Sequence, residues 1–233
     1  MMDSDELQDF SRAPEDYDEG SSEASPVKDT SELPKYWSAA GVLPKSKGHD
    51  RDTETFNRFL VGNDEAFRTL YDLYERPLYQ YVIRLVSSEA DAQDVFQEIW
   101  ARMFRLRGER KEVTKFSGLL FTVARNLSIN AIRDRKVLQN VSLEDVSADL
   151  EVSLRTLDVD QADLHEMLQK ALARLPVVQR EAFILREYNG YSYQEIAEIT
   201  NSTMINAKMR AWRARERLRK MIAAWLELKS SET

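Results

Sequence analysis

The chain has 233 residues, enough for one or two domains, and its 42% hydrophobic and 31% charged content is globular with room for a solvated segment. It has no cysteine and only two histidines, His49 and His165, which excludes disulfides, thiol chemistry and an ordinary zinc-binding motif. A formal net charge of -7 argues against an indiscriminate coater of nucleic acid, so any binding to a polyanion must come from local basic patches.

Residues 1–52 hold four of the six prolines, with many Ser, Asp and Glu and no sustained helical period, and are expected to form a disordered acidic extension. Tyr36 and Trp37 suit either a plain linker or a short docking motif. The opening MMDSDELQDF is acidic where a signal peptide would be basic. No run approaches the ~20 apolar residues of a membrane span, so a cytoplasmic protein is expected.

From Glu54 onward the pattern is almost continuously helical. Phe56, Phe59 and Leu60 mark a short helix stopped by Gly62 and Asn63. Asp64 is expected to cap a helix carrying Phe67, Leu70, Tyr71 and Tyr74, and Pro77 to open the next, with Leu78, Tyr81, Val82 and Leu85. Ser88 and Asp91 have capping spacing ahead of a helix over 89 to about 106 that buries Ala92, Val95, Phe96, Ile99 and Met103. Its outer stripe is Asp91, Asp94 and Glu98, with Gln97 and Arg102 beside it. Carboxylates so spaced suit metal or acid–base chemistry. No histidine accompanies them, so the stripe reads better as a solvated face or a docking face for a basic partner.

A polar loop over 107–115 precedes an amphipathic helix over 116–137. Phe116, Leu120, Val123, Ala124, Leu127 and Ala131 point inward; Thr122, Asn126, Ile129 and Arg133 share an outward stripe, with Arg125, Asn130 and Arg135 close by. Asparagine is unfavourable inside a helix, but its paired donor and acceptor suit a base edge. Residues 138–159 lose the period, collect acids and read as a flexible linker.

A second helical unit spans 160–229. Met167, Leu168, Ala171 and Leu175 belong to its first helix, which breaks at Pro176; Val177, Phe183, Ile184 and Leu185 belong to its second. Gly190 suits a left-handed helix stop, and Ser192 with Glu195 forms a capping box that starts a short helix carrying Ile196, Ala197 and Thr200. The chain turns near Asn201 and Ser202 and restarts with Thr203 as cap. Ala207, Ala211, Ala214 and Leu218 make one apolar stripe on the last helix; Asn206, Met209, Arg210, Arg213 and Arg217 lie opposite, with Lys208 on a flank. Seven basic residues and one acid between Thr203 and Lys220 make this helix a cation in an acidic protein. A capped helix-turn-helix ending in such a helix points to nucleic acid.

The runs DEAFRTLYDLY, ADAQDVFQEIWARMFR, FSGLLFTVARNLSINAIR and LPVVQREAFILREYNGYSYQEIAEI, closed by RARERLR, resemble in order and spacing the extracytoplasmic-function sigma factors of bacterial RNA polymerase. The resemblance covers about 54–137 and 160–225. It implies an all-α protein of two small helical domains, 53–137 and 160–229, the second a helix-turn-helix domain. It also implies core RNA polymerase and promoter DNA as partners, with an anti-sigma factor as a further candidate, a monomer when free, and no catalytic residue, metal or cofactor.

Residue by residue, it places Asp91, Asp94, Gln97 and Glu98 against the clamp helices of the largest polymerase subunit. Arg125, Asn126, Asn130 and Arg133 fall at the melted minus-ten element, where a nontemplate base is flipped and trapped. Thr203, Asn206, Lys208, Met209, Arg210, Arg213 and Arg217 fall in the major groove of the minus-thirty-five element, with the second domain resting on the polymerase flap. Leu119 replaces a frequent family tryptophan and Thr122 a usually basic position, which implies a weaker phosphate grip near the melted strand; MINAKMR replaces a common small-Thr-Val-Lys-Ser-Arg run, so the resemblance does not give the minus-thirty-five sequence. Two other readings remain open: a helix-turn-helix regulator acting alone, and a sigma-like decoy for an anti-sigma factor.

Overall fold

The computed structural model describes residues 49–107, 113–138 and 161–230. Among them the regular structure is entirely helical: α1 (His49–Leu60), α2 (Asp64–Val86), α3 (Glu89–Arg105), α4 (Phe116–Leu138), α5 (Gln161–Ala173), α6 (Val177–Glu187), α7 (Tyr193–Thr200) and α8 (Met204–Ser230). The expected acidic extension up to residue 48 and nearly all of the expected linker lie outside the described residues.

Two helix starts differ from expectation. Asn63, not Asp64, caps α2: its side-chain oxygen accepts the Ala66 N–H at 3.1 Å. Pro77 does not open a new helix; it lies inside α2, which runs through it. Proline there removes one ladder bond, to the Leu73 carbonyl, and Leu73 is half exposed. The continuous buried stripe of Leu70, Tyr74, Leu78, Tyr81 and Leu85 holds the helix across the defect, so tertiary packing outweighs the local penalty.

The first core gathers Phe56 and Phe59 from α1, the α2 stripe, Ile99 and Met103 from α3, and Phe116 and Leu120 from α4, all buried. Ser88 caps α3 as expected. Trp100 is buried where Phe96 was expected, and Phe96 is only partly covered: the α3 stripe is rotated towards the ring of Tyr71, 4.9 Å from Trp100. Polar side chains fix the approach to α4. Asn57 donates to the Val113 carbonyl at 3.1 Å and accepts the Val113 N–H at 3.0 Å, as a neighbouring strand would; Thr53 Oγ1 accepts the first N–H of α4, from Phe116, at 3.1 Å.

The second half forms around Phe183, Ile184, Leu185, Ile196 and the predicted α8 stripe of Ala207, Ala211, Ala214 and Leu218, all buried. Small residues on that stripe let α8 approach α6 and α7 closely. The turn is built as its sequence indicates. Gly190 has φ +73° and Asn201 φ +48°, and Ser192 and Glu195 form the full capping box. Thr203 Oγ1 accepts the Asn206 N–H at 3.1 Å, capping α8. Ser192→Ala, which removes one arm of the box, is expected to cost about 1 kcal/mol, readable as a lowered urea midpoint.

The two halves are packed together. α2 lies against α5 and α6, and α4 against α7. The Phe121 ring of α4 meets Tyr191 edge-on at 5.2 Å, the Arg84 guanidinium of α2 sits 4.2 Å over the Tyr188 ring, and Arg180 donates to Ser87 Oγ at 2.9 Å.

Candidate nucleic-acid interface

α8 is the most cationic element, and its cap and stripe decide which side is free. With Ala207, Ala211, Ala214 and Leu218 turned inward, Thr203, Lys208, Arg213 and Arg217 are exposed and Asn206, Met209 and Arg210 are partly covered. One helix therefore presents all seven predicted residues at or near solvent. Arg215 is committed elsewhere: it pairs with Glu187 of α6, anchoring the helix to its own domain. Met204 and Ile205, 51% and 69% exposed, stand at the leading tip, an apolar pair that costs solvation free energy unless something covers it.

The α3 stripe is split. Asp94 and Gln97 are exposed, whereas Asp91 and Glu98 are already engaged within the chain. Asp91 accepts from Arg135 of α4 at 3.1 Å, and Glu98 takes both Arg102, at 2.9 Å, and Arg105, at 2.6 Å. Those two guanidiniums hold the Glu98 carboxyl below its ordinary range. Among the described residues no group of His, Cys, Asp or Glu could hold a metal ion.

The α4 residues do not share one open face. Asn130 and Arg133 are exposed and Asn126 is half-buried, but Arg125 is only 8% exposed, and Ile129, expected on the outward stripe, is buried too. For Arg125 the reason is the second half of the chain, which covers it. Arg125 Nε lies 3.0 Å from Glu181 Oε1 of α6, a contact of charges without an aligned hydrogen bond, while Nη1 donates to Asn126 at 3.2 Å. Tyr81 of α2 donates to the same Glu181 oxygen at 3.2 Å. Glu181 is 2% exposed; burial raises its carboxyl above the ordinary range, opposed by Arg125, by the Tyr81 hydroxyl and more weakly by Arg210 of α8.

Sequence reasoning missed Glu181, which sits in the run EAFIL where one carboxylate among apolar neighbours reads as a solvated corner of the helix. The adjacent Arg180 is buried as well, and burial lowers its pKa to about 10. Two adjacent buried charges early in α6 mark this face as an interface in the structure, where the sequence alone shows only a polar corner. Lys115 and Glu198, at the exposed rim, close the same seam at 2.9 Å.

Comparison with known proteins identifies the family. Residues 70–137 match the model of Sigma-70 region 2, and residues 165–218 that of Sigma-70, region 4. The chain is 30% identical over 166 residues to the RNA polymerase sigma factor CarQ of Myxococcus xanthus, covering 71% of this chain and 94% of that protein. It is 27% identical to the ECF RNA polymerase sigma factor SigW of Bacillus subtilis, covering 69% of this chain and 91% of SigW. The sigma factor RpoE of Bartonella quintana, solved with the anti-sigma factor NepR, superposes with a TM-score of 0.54 at 27% identity, over 67% of this chain and 96% of that one. CnrH, solved with the cytosolic domain of CnrY, shares the fold at a TM-score of 0.58 and 20% identity, over 75% of this chain and 99% of that one. With the two region matches in chain order and a relative covered almost end to end, the chain belongs to the RNA polymerase sigma factors of the extracytoplasmic-function type.

Proposed function

We propose that the protein joins core RNA polymerase through α3, reads and holds the melted minus-ten element with α4, and docks α8 in the minus-thirty-five major groove. The observation that carries this reading is the geometry of α8: a doubly capped turn presents one cationic face while a stripe of small residues fixes the helix against its domain. On that face Arg210, Arg213, Lys208 and Arg217 supply phosphate or guanine contacts, and Asn206 can pair with adenine. Met204 and Ile205 suit thymine methyl groups, the one apolar feature of a base edge in the major groove. Asp94 and Gln97 are the open part of the α3 docking face; Asp91 and Glu98 extend it once their internal arginines are displaced.

As a sigma factor the chain selects the promoter and leaves bond formation to the polymerase. No helix among the described residues is long and apolar enough to cross a membrane, and we place the protein in the cytoplasm with its partners.

The test is a pull-down and transcription assay with purified core polymerase, comparing wild type with Asp94→Arg and with Asp91→Arg/Asp94→Arg. Wild type is expected to bind core and start transcription at discrete sites, the single reversal to bind weakly, and the double reversal to do neither while keeping its helical spectrum. Core binding by the double variant at wild-type strength removes α3 as the docking face. Failure of wild type itself to bind core removes the whole assignment.

A further inference from the structure

An open groove of about 500 Å³ runs between α2 and the end of α3. Phe67, Tyr71 and Phe104 line it, with Arg68, Asp72 and Arg107 beside them. The rings stand in depth: Phe67 meets Phe104 edge-on at 5.4 Å and Phe59 at 4.7 Å, and Tyr71 lies 4.9 Å from Trp100. Phe59 and Trp100 are buried, but Phe104 is 49% exposed. A half-wet ring backed by a buried aromatic wall gains free energy when something covers it.

Connectivity, composition and charge point to the same occupant. α1 ends at the groove: Phe59, in its last turn, packs against Phe67 and Phe104, and the Gly62 carbonyl just after it accepts from Arg107 at 3.2 Å. α1 is ~18 Å long, while Trp37 precedes its first residue, His49, by twelve positions, a span of up to ~40 Å when extended. The chain ahead of α1 is therefore long enough to return along it. Residues 1–48 hold eleven acids against five bases, and their one concentrated apolar run is LPKYWSAAGVLP at 33–44, with Tyr36 and Trp37 side by side. Short proline-flanked segments dock well in aromatic-lined grooves, and Pro34 and Pro44 flank this one. Its neighbouring charges, Glu32 and Lys35, are opposite in sign to Arg68 and Asp72, which are exposed and make no ion pair among the described residues. We infer that residues 33–44, anchored by Tyr36 and Trp37, dock in the α2–α3 groove of their own chain. So short a tether gives the segment an effective concentration of about a millimolar, so a contact too weak to hold two molecules together fills the groove. Docking moors the acid-rich residues 1–32 to the first half of the chain rather than to the cationic face of α8.

Cross-linking in the full chain tests this. Because the protein has no cysteine, Ser38→Cys/Glu65→Cys carries the only two thiols, one beside Trp37 and one at an exposed position of α2 next to Asp64 of the groove. In dilute solution a short bis-maleimide is expected to link them within one molecule, and adding Tyr36→Ser/Trp37→Ser to slow the linkage roughly tenfold. An unchanged rate without the two rings overturns the docking, because the tether alone then accounts for the link. Covalent dimers in place of linked monomers also overturn it and assign the groove to a second copy. Faster linkage in Ser38→Cys/Lys208→Cys than in Ser38→Cys/Glu65→Cys overturns it as well and places the segment on α8.

A fluorescent peptide of residues 30–47 gives the second measurement, read as anisotropy on the full chain. It is expected to bind Tyr36→Ser/Trp37→Ser, whose groove is vacated, several-fold more tightly than wild type. Phe104→Glu in the same background is expected to abolish that binding while the helical spectrum is kept. Equal binding by wild type and the ring-less variant, or binding that survives the loss of Phe104 in a folded chain, overturns the inference. If the Phe104→Glu chain does not fold, the cross-linking rates decide.

Discussion

Phe56→Ala is expected to cost about 3–5 kcal/mol, the largest loss of stability from any single truncation proposed for this chain. Phe56 is fully buried, with ring centroids 5.7 Å from Phe59 and 4.6 Å from Phe116. Both neighbours are themselves at most 1% exposed and belong to helices fixed by caps and side-chain hydrogen bonds, so the site cannot collapse around the vacancy. The effect is readable as a fall in the urea midpoint with little change in slope. It should reach function through α4, whose first N–H is held by Thr53 in the same helix as Phe56. A loss below about 1 kcal/mol, in the range of an exposed position, would mean that α1 is not part of the cooperative core.

Replacing Asn206, Arg210 and Arg213 together by Ala should have the largest effect on DNA binding. Taking a side chain away from a base edge costs ~1–3 kcal/mol, and taking one away from a phosphate reduces the salt slope by about one. The side chains are neighbours on one helix face, so the costs need not add. The measurement is the promoter dissociation constant of the holoenzyme as a function of salt. Arg215→Ala is the internal contrast, since its guanidinium faces Glu187 rather than the open side. It should lower stability and leave the salt slope alone. Identical salt slopes for the triple variant and wild type would take α8 out of the interface.

The helix-turn-helix was legible almost to the residue because its signals are local. A capping box, a left-handed stop and a stripe of alanines all act within a few residues, and each does in the structure what its chemistry predicts. The family was legible for the same reason, being carried by short runs in a fixed order. Pro77 was misread because its local penalty is real and only the length of the α2 stripe overrides it. The Arg125–Glu181 pair was not legible because nothing in the sequence near either residue announces a partner 56 positions away. An outward stripe on α4 and a polar corner on α6 are each ordinary surfaces until the two halves are brought together. Periodicity put Asp91 on the outer stripe of α3 and the family resemblance put it at a docking face; periodicity fixes the direction of a side chain but not whether an internal arginine has reached it first.

The seam between the halves also has a thermal consequence. Parting it would wet the rings of Phe121, Tyr188 and Tyr191, and newly wetted apolar surface raises heat capacity. Assembly with polymerase buries apolar surface and lowers it. If holoenzyme formation parts the seam, the two changes oppose each other, and its heat-capacity change should be smaller than the contact area alone implies. Apolar association also weakens on cooling, which makes the separated arrangement progressively easier to reach in the cold.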